Sequence, residues 1–124
     1  MRILLIAGEA SGDLHGADLV RAIREQRPGL RVFGIGGPAL REVGMETLID
    51  SSKIAAMGLL EAADKFGAIR KAYRKIAEVL RTNPPELLIL VDFPEFNLRL
   101  AKVAKANRIP TFYYISPQVW AWRR

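Results

Sequence analysis

The chain has 124 residues, which is the size of one domain and too few for two full lobes. Hydrophobic residues make up 50% and charged residues 26%, as in water-soluble globular proteins. The net charge of +6 favours an anionic partner such as nucleic acid, an acidic membrane surface or a phosphorylated small molecule. The lack of cysteine excludes disulfides and thiolate ligands, and a single histidine, His15, argues against a zinc cluster.

No stretch approaches the roughly 18 apolar residues that a membrane-spanning helix needs. The apolar start, residues 3–7, is too short for the core of a signal peptide and runs directly into Gly-Glu-Ala-Ser-Gly-Asp. Residues 3–7 are therefore predicted to form a first strand. Without a signal peptide or a membrane-spanning stretch, the expected location is the cytoplasm. The last residues, VWAWRR, are dense in aromatic and basic side chains with no tail after them, which we interpret as a truncation.

The pattern of apolar residues, glycines and prolines predicts alternating strands and helices. The predicted strands cover residues 2–7, 30–35, 46–49, 87–91 and 111–115, and the predicted helices cover residues 14–26, 38–43, 68–82 and 95–107. This alternation predicts an α/β fold, namely one Rossmann-like three-layer αβα domain with a mostly parallel sheet. Right-handed crossovers would place most of the strand ends along one edge of that sheet.

A glycine-rich segment, residues 8–16, follows the first strand, where α/β proteins often bind an anion. Its spacing, G-x3-G-x3-G, is neither the dinucleotide fingerprint nor the phosphate-loop pattern, which disfavours a nucleotide-dependent oxidoreductase. Glu9 and Asp13 would repel a phosphate, and they suit a sugar hydroxyl or a hydrogen-bonding role better. The alternative is that Ser11 or Asp13 only caps the helix that follows.

Two features in the middle of the chain have both a structural and a functional interpretation. Met57, Leu59 and Leu60 beside Gly58 fit a protein core, or an exposed patch for an acyl chain or a bilayer. The predicted helix at residues 68–82 has a basic face, which is either simply solvated or attracted to anionic lipid. This basic face comprises Arg70, Lys71, Arg74, Lys75 and Arg81. No aromatic residues are interleaved with these charges, which disfavours nucleic acid as the partner.

The strand at residues 87–91 is an uninterrupted aliphatic run, typical of a strand that is buried on both faces. Asp92 follows it at once, and ligands of open parallel α/β sheets bind at the carboxyl ends of the strands. Asp92 is therefore the first candidate for chemistry. The alternative is that Asp92 only opens a turn, with Pro94 fixing φ and Asn97 accepting a local backbone bond.

Three segments together resemble lipid-A-disaccharide synthase: GEASGDLHGA at the first turn, VDFPEFN after the fourth strand and SPQVWAWR after the fifth. AAMGLLEA is similar to the Met-Gly-containing segment of the same family. The resemblance implies an inverting glycosyltransferase of GT-B architecture, in which two Rossmann-like lobes face a cleft. This chain would be the N-terminal, acceptor-side lobe, without the C-terminal lobe that binds the nucleotide sugar, and so inactive alone.

The resemblance also implies the reaction and its setting. Members transfer 2,3-diacylglucosamine from its UDP conjugate to the 6-hydroxyl of 2,3-diacylglucosamine 1-phosphate, giving UDP and the lipid A disaccharide of lipopolysaccharide. They need no metal or cofactor, and they are peripheral proteins on the cytoplasmic face of the Gram-negative inner membrane. Because an end at Arg124 would leave apolar surface uncovered, we also expect self-association into a homo-oligomer. The rival interpretation is a non-catalytic α/β domain that binds an anionic small molecule at residues 8–16.

The family's functional residues fall on definite positions here. The resemblance implies that Asp92 is the general base and that Asn97 orients either substrate or Asp92. The residues implied to contact substrate or line the cleft are Glu9, Ser11, Gly12, Asp13, Met57, Gly58, Glu61, Ser116, Gln118, Trp120, Trp122 and Arg123. One departure concerns Glu95, where the family motif more often has Asp, and this weakens any catalytic role for Glu95 itself.

Overall fold

The computed structural model describes residues 1–56, 62–92 and 94–114. Strands and helices alternate along it, because apolar runs of five or six residues are separated by amphipathic stretches and by breakers at glycine and proline. The strands are β1 (Arg2–Ala7), β2 (Arg31–Gly36), β3 (Glu46–Asp50), β4 (Leu87–Val91) and β5 (Thr111–Tyr114). The helices are α1 (Ala10–Gln26), α2 (Pro38–Glu42), α3 (Ser51–Ala56), α4 (Ala62–Thr82) and α5 (Pro94–Ala106).

The five strands form one sheet in the order β3-β2-β1-β4-β5, and every described strand pair is parallel. The two central strands, β1 and β4, are in register from Ile3 with Leu87 to Ala7 with Val91. Both strands are almost wholly buried, as expected for aliphatic runs that are covered on both faces. The predicted α/β class and parallel sheet are confirmed.

A helical layer covers each face of the sheet. On one face, α4 and α5 contribute Ile76, Leu80 and Leu100 to a core cluster with alternate residues of β1, β2 and β4. On the other face, α1 and α2 contribute Val20 and Leu40 to a second cluster. Because all five side chains are fully buried, each contributes about 1.5–3 kcal/mol relative to an exposed position. The result is the predicted three-layer arrangement.

Helix α1 begins at Ala10, four residues before its predicted start, so most of the glycine-rich segment is helical. The predicted helix start at residue 14 was therefore wrong by about one turn. A Cβ built on Gly16 would lie 3.3 Å from Leu5 Cδ2, and one on Gly12 would lie 3.5 Å from Val91 Cγ1. Gly16 therefore allows α1 to pack closely on β1, whereas a Cβ at Gly12 would make only ordinary contact with β4.

Helix α4 also begins earlier than predicted. It starts at Ala62, and Gly67, which was predicted to precede the helix, lies within it. A Cβ on Gly67 would meet no atom within 4 Å, so no close approach requires glycine there. Glycine in a helix interior costs only about 1 kcal/mol relative to alanine. The packing of the other residues of a long amphipathic helix can offset that cost, so the helix continues through Gly67.

Candidate functional site

The candidate site lies at the topological switch point of the sheet, where the strand order reverses. From β1 the chain moves outward to β2 and β3, and then crosses back to place β4 on the other side of β1. In open α/β sheets, the crevice at the carboxyl ends of two such strands is the usual ligand site. A Cβ built on Gly12 would lie 3.7 Å from the Val91 carbonyl oxygen, so the first turns of α1 lie against the end of β4. The fold thus brings the predicted first-turn residues and Asp92 to one crevice.

Asp92 is held in a left-handed backbone conformation, with φ of 46°. Its N–H donates to the Tyr114 carbonyl oxygen at 3.0 Å. Its carbonyl oxygen accepts hydrogen bonds from Asn97 Nδ2 at 2.7 Å and from the Tyr113 hydroxyl at 2.9 Å. Aspartate is one of the few residues that tolerate this conformation. The three hydrogen bonds, one from the N–H of Asp92 and two to its carbonyl oxygen, hold the backbone in it. The half-buried Asp92 side chain is therefore carried by a rigid backbone at the crevice.

Asn97 is fully buried, one turn into α5. Besides its bond to Asp92, its Nδ2 lies 3.4 Å from the Val91 carbonyl oxygen, so the amide bridges the end of β4 to the start of α5. Its Oδ1 has no hydrogen-bond partner among the residues described. Of the two predicted roles of Asn97, the geometry supports the one in which it orients Asp92, since a fully buried amide does not face a bound substrate.

Tyr113 was not identified from the sequence, where residues 111–115 were interpreted only as a strand. Its hydroxyl reaches the Asp92 carbonyl because β5 pairs with β4 in a register that places Tyr114 opposite Val91. Burial raises the pKa of the Tyr113 phenol, and the negative charge of Asp92 raises it further. No local sequence signal distinguishes Tyr113 from Tyr114, because the distinction depends on the pairing of two strands that are far apart in sequence.

We expect the Asp92→Asn substitution to lower the pKa of Tyr113, because it removes the nearby charge. The pKa should stay above its ordinary value of 10.0, since burial is the larger cause of the shift. A raised phenol pKa in the folded state stabilises the protein below pH 10.0, and this contribution is lost as the pH rises through the raised pKa. Ultraviolet difference titration would measure the shift, with Tyr113→Phe identifying the signal. An identical titration in the wild type and Asp92→Asn would contradict the coupling.

The Asp13 side chain links helix α1 to the start of helix α2. It lies inside α1, it is only 4% exposed, and it accepts three backbone hydrogen bonds from the start of α2. Its Oδ1 accepts from the N–H groups of Gly37 at 2.8 Å and Leu40 at 3.0 Å, and its Oδ2 accepts from Ala39 at 2.9 Å. A Cβ on Gly37 would lie 2.9 Å from Oδ2, so the carboxylate fits closely against this glycine.

The alternative prediction, that Ser11 or Asp13 caps the helix after the first strand, was wrong. The N-cap of α1 is Glu9, whose side chain makes no capping hydrogen bond. Asp13 does cap a helix, but it caps α2, which begins 25 residues later in the chain. Its carboxylate neutralises free N–H groups at that helix start, where the helix dipole also favours a negative charge.

The exposed polar groups of the crevice come from α1. Glu9 and Ser11 are both exposed at the start of the helix, whereas Gly12 and Asp13 are buried beneath them. His15 is half-buried, and its ring lies 6.0 Å from that of Tyr114 between centroids. Of the four predicted residues in this segment, Glu9 and Ser11 are therefore accessible to a ligand, and Gly12 and Asp13 lie beneath them.

The other predicted site residues lie outside the described residues. They are Met57, Gly58, Glu61, Ser116, Gln118, Trp120, Trp122 and Arg123. Within residues 1–56, 62–92 and 94–114, no three or more His, Asp or Glu side chains group closely enough to hold a metal ion. None of the helices in that part of the chain is both long and apolar enough to span a membrane.

Comparison with known proteins gives a consistent result along the chain. A family model described as lipid-A-disaccharide synthetase matches residues 3–124. The chain is 54% identical over 122 residues to the lipid-A-disaccharide synthase of Geobacter metallireducens, covering 98% of this chain and 32% of that protein. It is 52% identical over 122 residues to the enzyme of the same name from Nitrosococcus oceani, with coverage of 98% and 32%. This chain thus spans about a third of the length of these curated relatives, and it belongs to the lipid-A-disaccharide synthase family.

Proposed function

We propose that this chain is the N-terminal, acceptor-side lobe of an inverting GT-B glycosyltransferase that makes the lipid A disaccharide. The observation that carries the proposal is the anchored Asp92 in the crevice between β1 and β4, in a chain of this family. The C-terminal lobe, which binds the nucleotide sugar, would belong to the remaining two thirds of the full-length protein. On this proposal the 124-residue lobe does not turn over by itself.

The proposed reaction is a single displacement. The acceptor is 2,3-diacylglucosamine 1-phosphate, and its 6-hydroxyl attacks the anomeric carbon of UDP-2,3-diacylglucosamine. As the new C–O bond forms, the bond between that carbon and the phosphate oxygen breaks, and UDP leaves with the bonding electron pair. The Asp92 carboxylate takes the hydroxyl proton as general base. No metal or cofactor takes part in this proposal.

The geometry of the described residues supports this assignment in two ways. Asn97 and Tyr113 hold the backbone of Asp92, so a carboxylate is preorganised at the strand end instead of moving with a loop. Glu9 and Ser11 offer exposed carboxylate and hydroxyl groups at the start of α1, which lies against the end of β4, and such groups suit hydrogen bonds to sugar hydroxyls. In the same proposal, Met57, Gly58 and Glu61 contact the acylated substrate, and Ser116, Gln118, Trp120, Trp122 and Arg123 line the face toward the other lobe.

We also propose that the full-length protein is peripheral on the cytoplasmic side of the inner membrane and forms a homo-oligomer. The basic face of α4 supports the membrane part of this proposal, since Arg70, Lys71, Arg74 and Lys75 are all exposed. Exposed cations near an anionic surface contribute about 1 kcal/mol each. Binding to anionic vesicles should therefore fall when all four are neutralised, and unchanged binding would remove the membrane role of this face.

The test of the reaction is UDP release by the full-length protein with both diacylated substrates. We expect UDP and the disaccharide to form in equal amounts, and almost no UDP to form when the acceptor is omitted. The product should be identified by mass, because hydrolysis of the donor would also release UDP. If the folded full-length protein released no UDP, the proposal would fail, and an anion-binding domain without catalysis would take its place.

A further inference from the structure

A groove runs along the outer edge of the sheet, far from the crevice. It lies where α4 passes the edge strand β3, and its volume is about 540 Å³. Its lining residues are Arg41, Thr47, Leu48, Ile49, Asp50, Lys53, Ala68, Lys71, Ala72 and Lys75. The four from α4 are spaced as one helix face, with small alanines between the lysines, and this leaves room between helix and strand. The volume falls in the usual range of small-ligand sites, about 300–1,000 Å³.

The groove is strongly positive. Among the described lining residues, four side chains are cationic and one is a carboxylate, which already has hydrogen-bond and ion-pair partners. Asp50 pairs with Arg41 Nη1 at 2.5 Å, and its Oδ1 accepts bonds from Ser52 N at 2.9 Å and Ser52 Oγ at 2.6 Å. Within the described part of the chain, Lys53, Lys71 and Lys75 form no ion pair. Among the described residues, no carboxylate forms an ion pair with the three lysines that line this concave surface.

The groove differs from the neighbouring surface of the same helix. Arg70 and Arg74 are exposed on α4 but do not line the groove, and the Arg70 guanidinium lies over the Phe66 ring at 6.0 Å. The floor of the groove includes Thr47, whose buried hydroxyl has no hydrogen-bond partner among the described residues. Rotation of this side chain would present a donor to an occupant. The concave shape and the directed lysines distinguish the groove from a general basic face.

We infer that this groove is a binding site for the phosphate group of an anionic ligand, distinct from the acceptor sugar at Asp92. Lysine ammonium groups bind phosphate as point charges, and a bound dianion would relieve their mutual repulsion. Strand β3 is two strands from β1 and three from β4, so the groove is about 10–14 Å from the crevice between those strands at the neighbouring-strand spacing. A single sugar ring does not span that distance. The phosphate is either carried by a soluble compound or displayed by a lipid headgroup.

The inference goes beyond the proposed reaction and is tested without an activity assay. The full-length protein is compared as wild type, as Lys71→Gln/Lys75→Gln, and as the matched control Arg70→Gln/Arg74→Gln. Both variants lose two charges from exposed positions of α4 with the same spacing, and glutamine is a good helix former. Calorimetric titration with inorganic phosphate, with UDP saturating any nucleotide site, tests the soluble source. Sedimentation with phosphatidylcholine vesicles, with and without phosphatidylglycerol, tests the lipid source.

We expect the groove variant to bind at least one of the two probes about tenfold more weakly than the control variant does. With anionic vesicles the control variant also loses affinity relative to the wild type, because Arg70 and Arg74 belong to the basic face that is proposed to meet the membrane. A selective loss with inorganic phosphate identifies a soluble ligand, and a selective loss only with phosphatidylglycerol vesicles identifies a lipid headgroup. If both variants lost the same affinity, binding would depend only on the total positive charge of α4, and the inference of a phosphate site in the groove would be wrong. Failure of the wild type to bind either probe would overturn it as well.

Discussion

Replacing Asp92 with asparagine in the full-length protein should lower kcat/KM for disaccharide formation by about 10²–10⁴-fold, the usual contribution of a general base. The proposed base acts on a proton that moves only in the transition state, so kcat should fall while KM changes little. Asparagine has the same shape as aspartate and cannot accept that proton at neutral pH. The measurement is steady-state UDP release with both diacylated substrates.

Asparagine is also the right substitution for structural reasons. It tolerates the left-handed conformation of residue 92, and the three hydrogen bonds at that position use only backbone atoms of Asp92. The backbone should therefore be retained, and circular dichroism should match the wild type. The matched control is Glu95→Gln, which removes an exposed carboxylate three residues away in the first turn of α5. If Asp92→Asn kept full activity, or if Glu95→Gln lost as much, the base would have to be sought elsewhere.

The fold was largely predictable because its signals are local. The aliphatic runs of β1 and β4 could only be strands that are covered on both sides, and the alternation with amphipathic stretches indicated helices between parallel strands. The errors occurred where glycine was interpreted as a breaker. Gly12 and Gly67 both lie inside helices, and a long helix tolerates glycine at either position because the cost is only about 1 kcal/mol.

The candidate site was predictable only in part, and for a related reason. Asp92 was selected as the candidate catalytic residue because its position at the end of a buried strand is visible in the sequence. Tyr113 and the partners of Asp13 were missed, because each depends on contacts between residues more than 20 positions apart. Such contacts form only after the sheet order and the strand register are established. The sequence therefore indicated the candidate residue Asp92, but not the hydrogen bonds that hold the candidate site in place.

That support makes the Asp13→Ala substitution the most damaging structural change that we predict. The buried carboxylate accepts three backbone hydrogen bonds from Gly37, Ala39 and Leu40, and alanine would leave all three N–H groups without this acceptor. A hydrogen bond to a charged group contributes about 1.5–3 kcal/mol, and such contributions are not fully additive. We expect the free energy of unfolding to fall by about 3–5 kcal/mol, measured by urea denaturation of the full-length protein.

The matched control is Asp18→Ala in the same helix. Its carboxylate is 76% exposed and pairs with Arg21 at 2.9 Å, so its loss should change the free energy of unfolding by less than about 0.5 kcal/mol. Amide hydrogen exchange separates local from global effects, since Asp13→Ala should deprotect residues 37–40 first. Asp13→Asn should fall between wild type and Asp13→Ala, because its amide keeps one oxygen but turns an NH₂ group toward backbone donors. Equal stability of Asp13→Ala and Asp18→Ala would contradict the link that Asp13 forms between α1 and α2, and with it the view that the crevice floor is held by this one buried carboxylate.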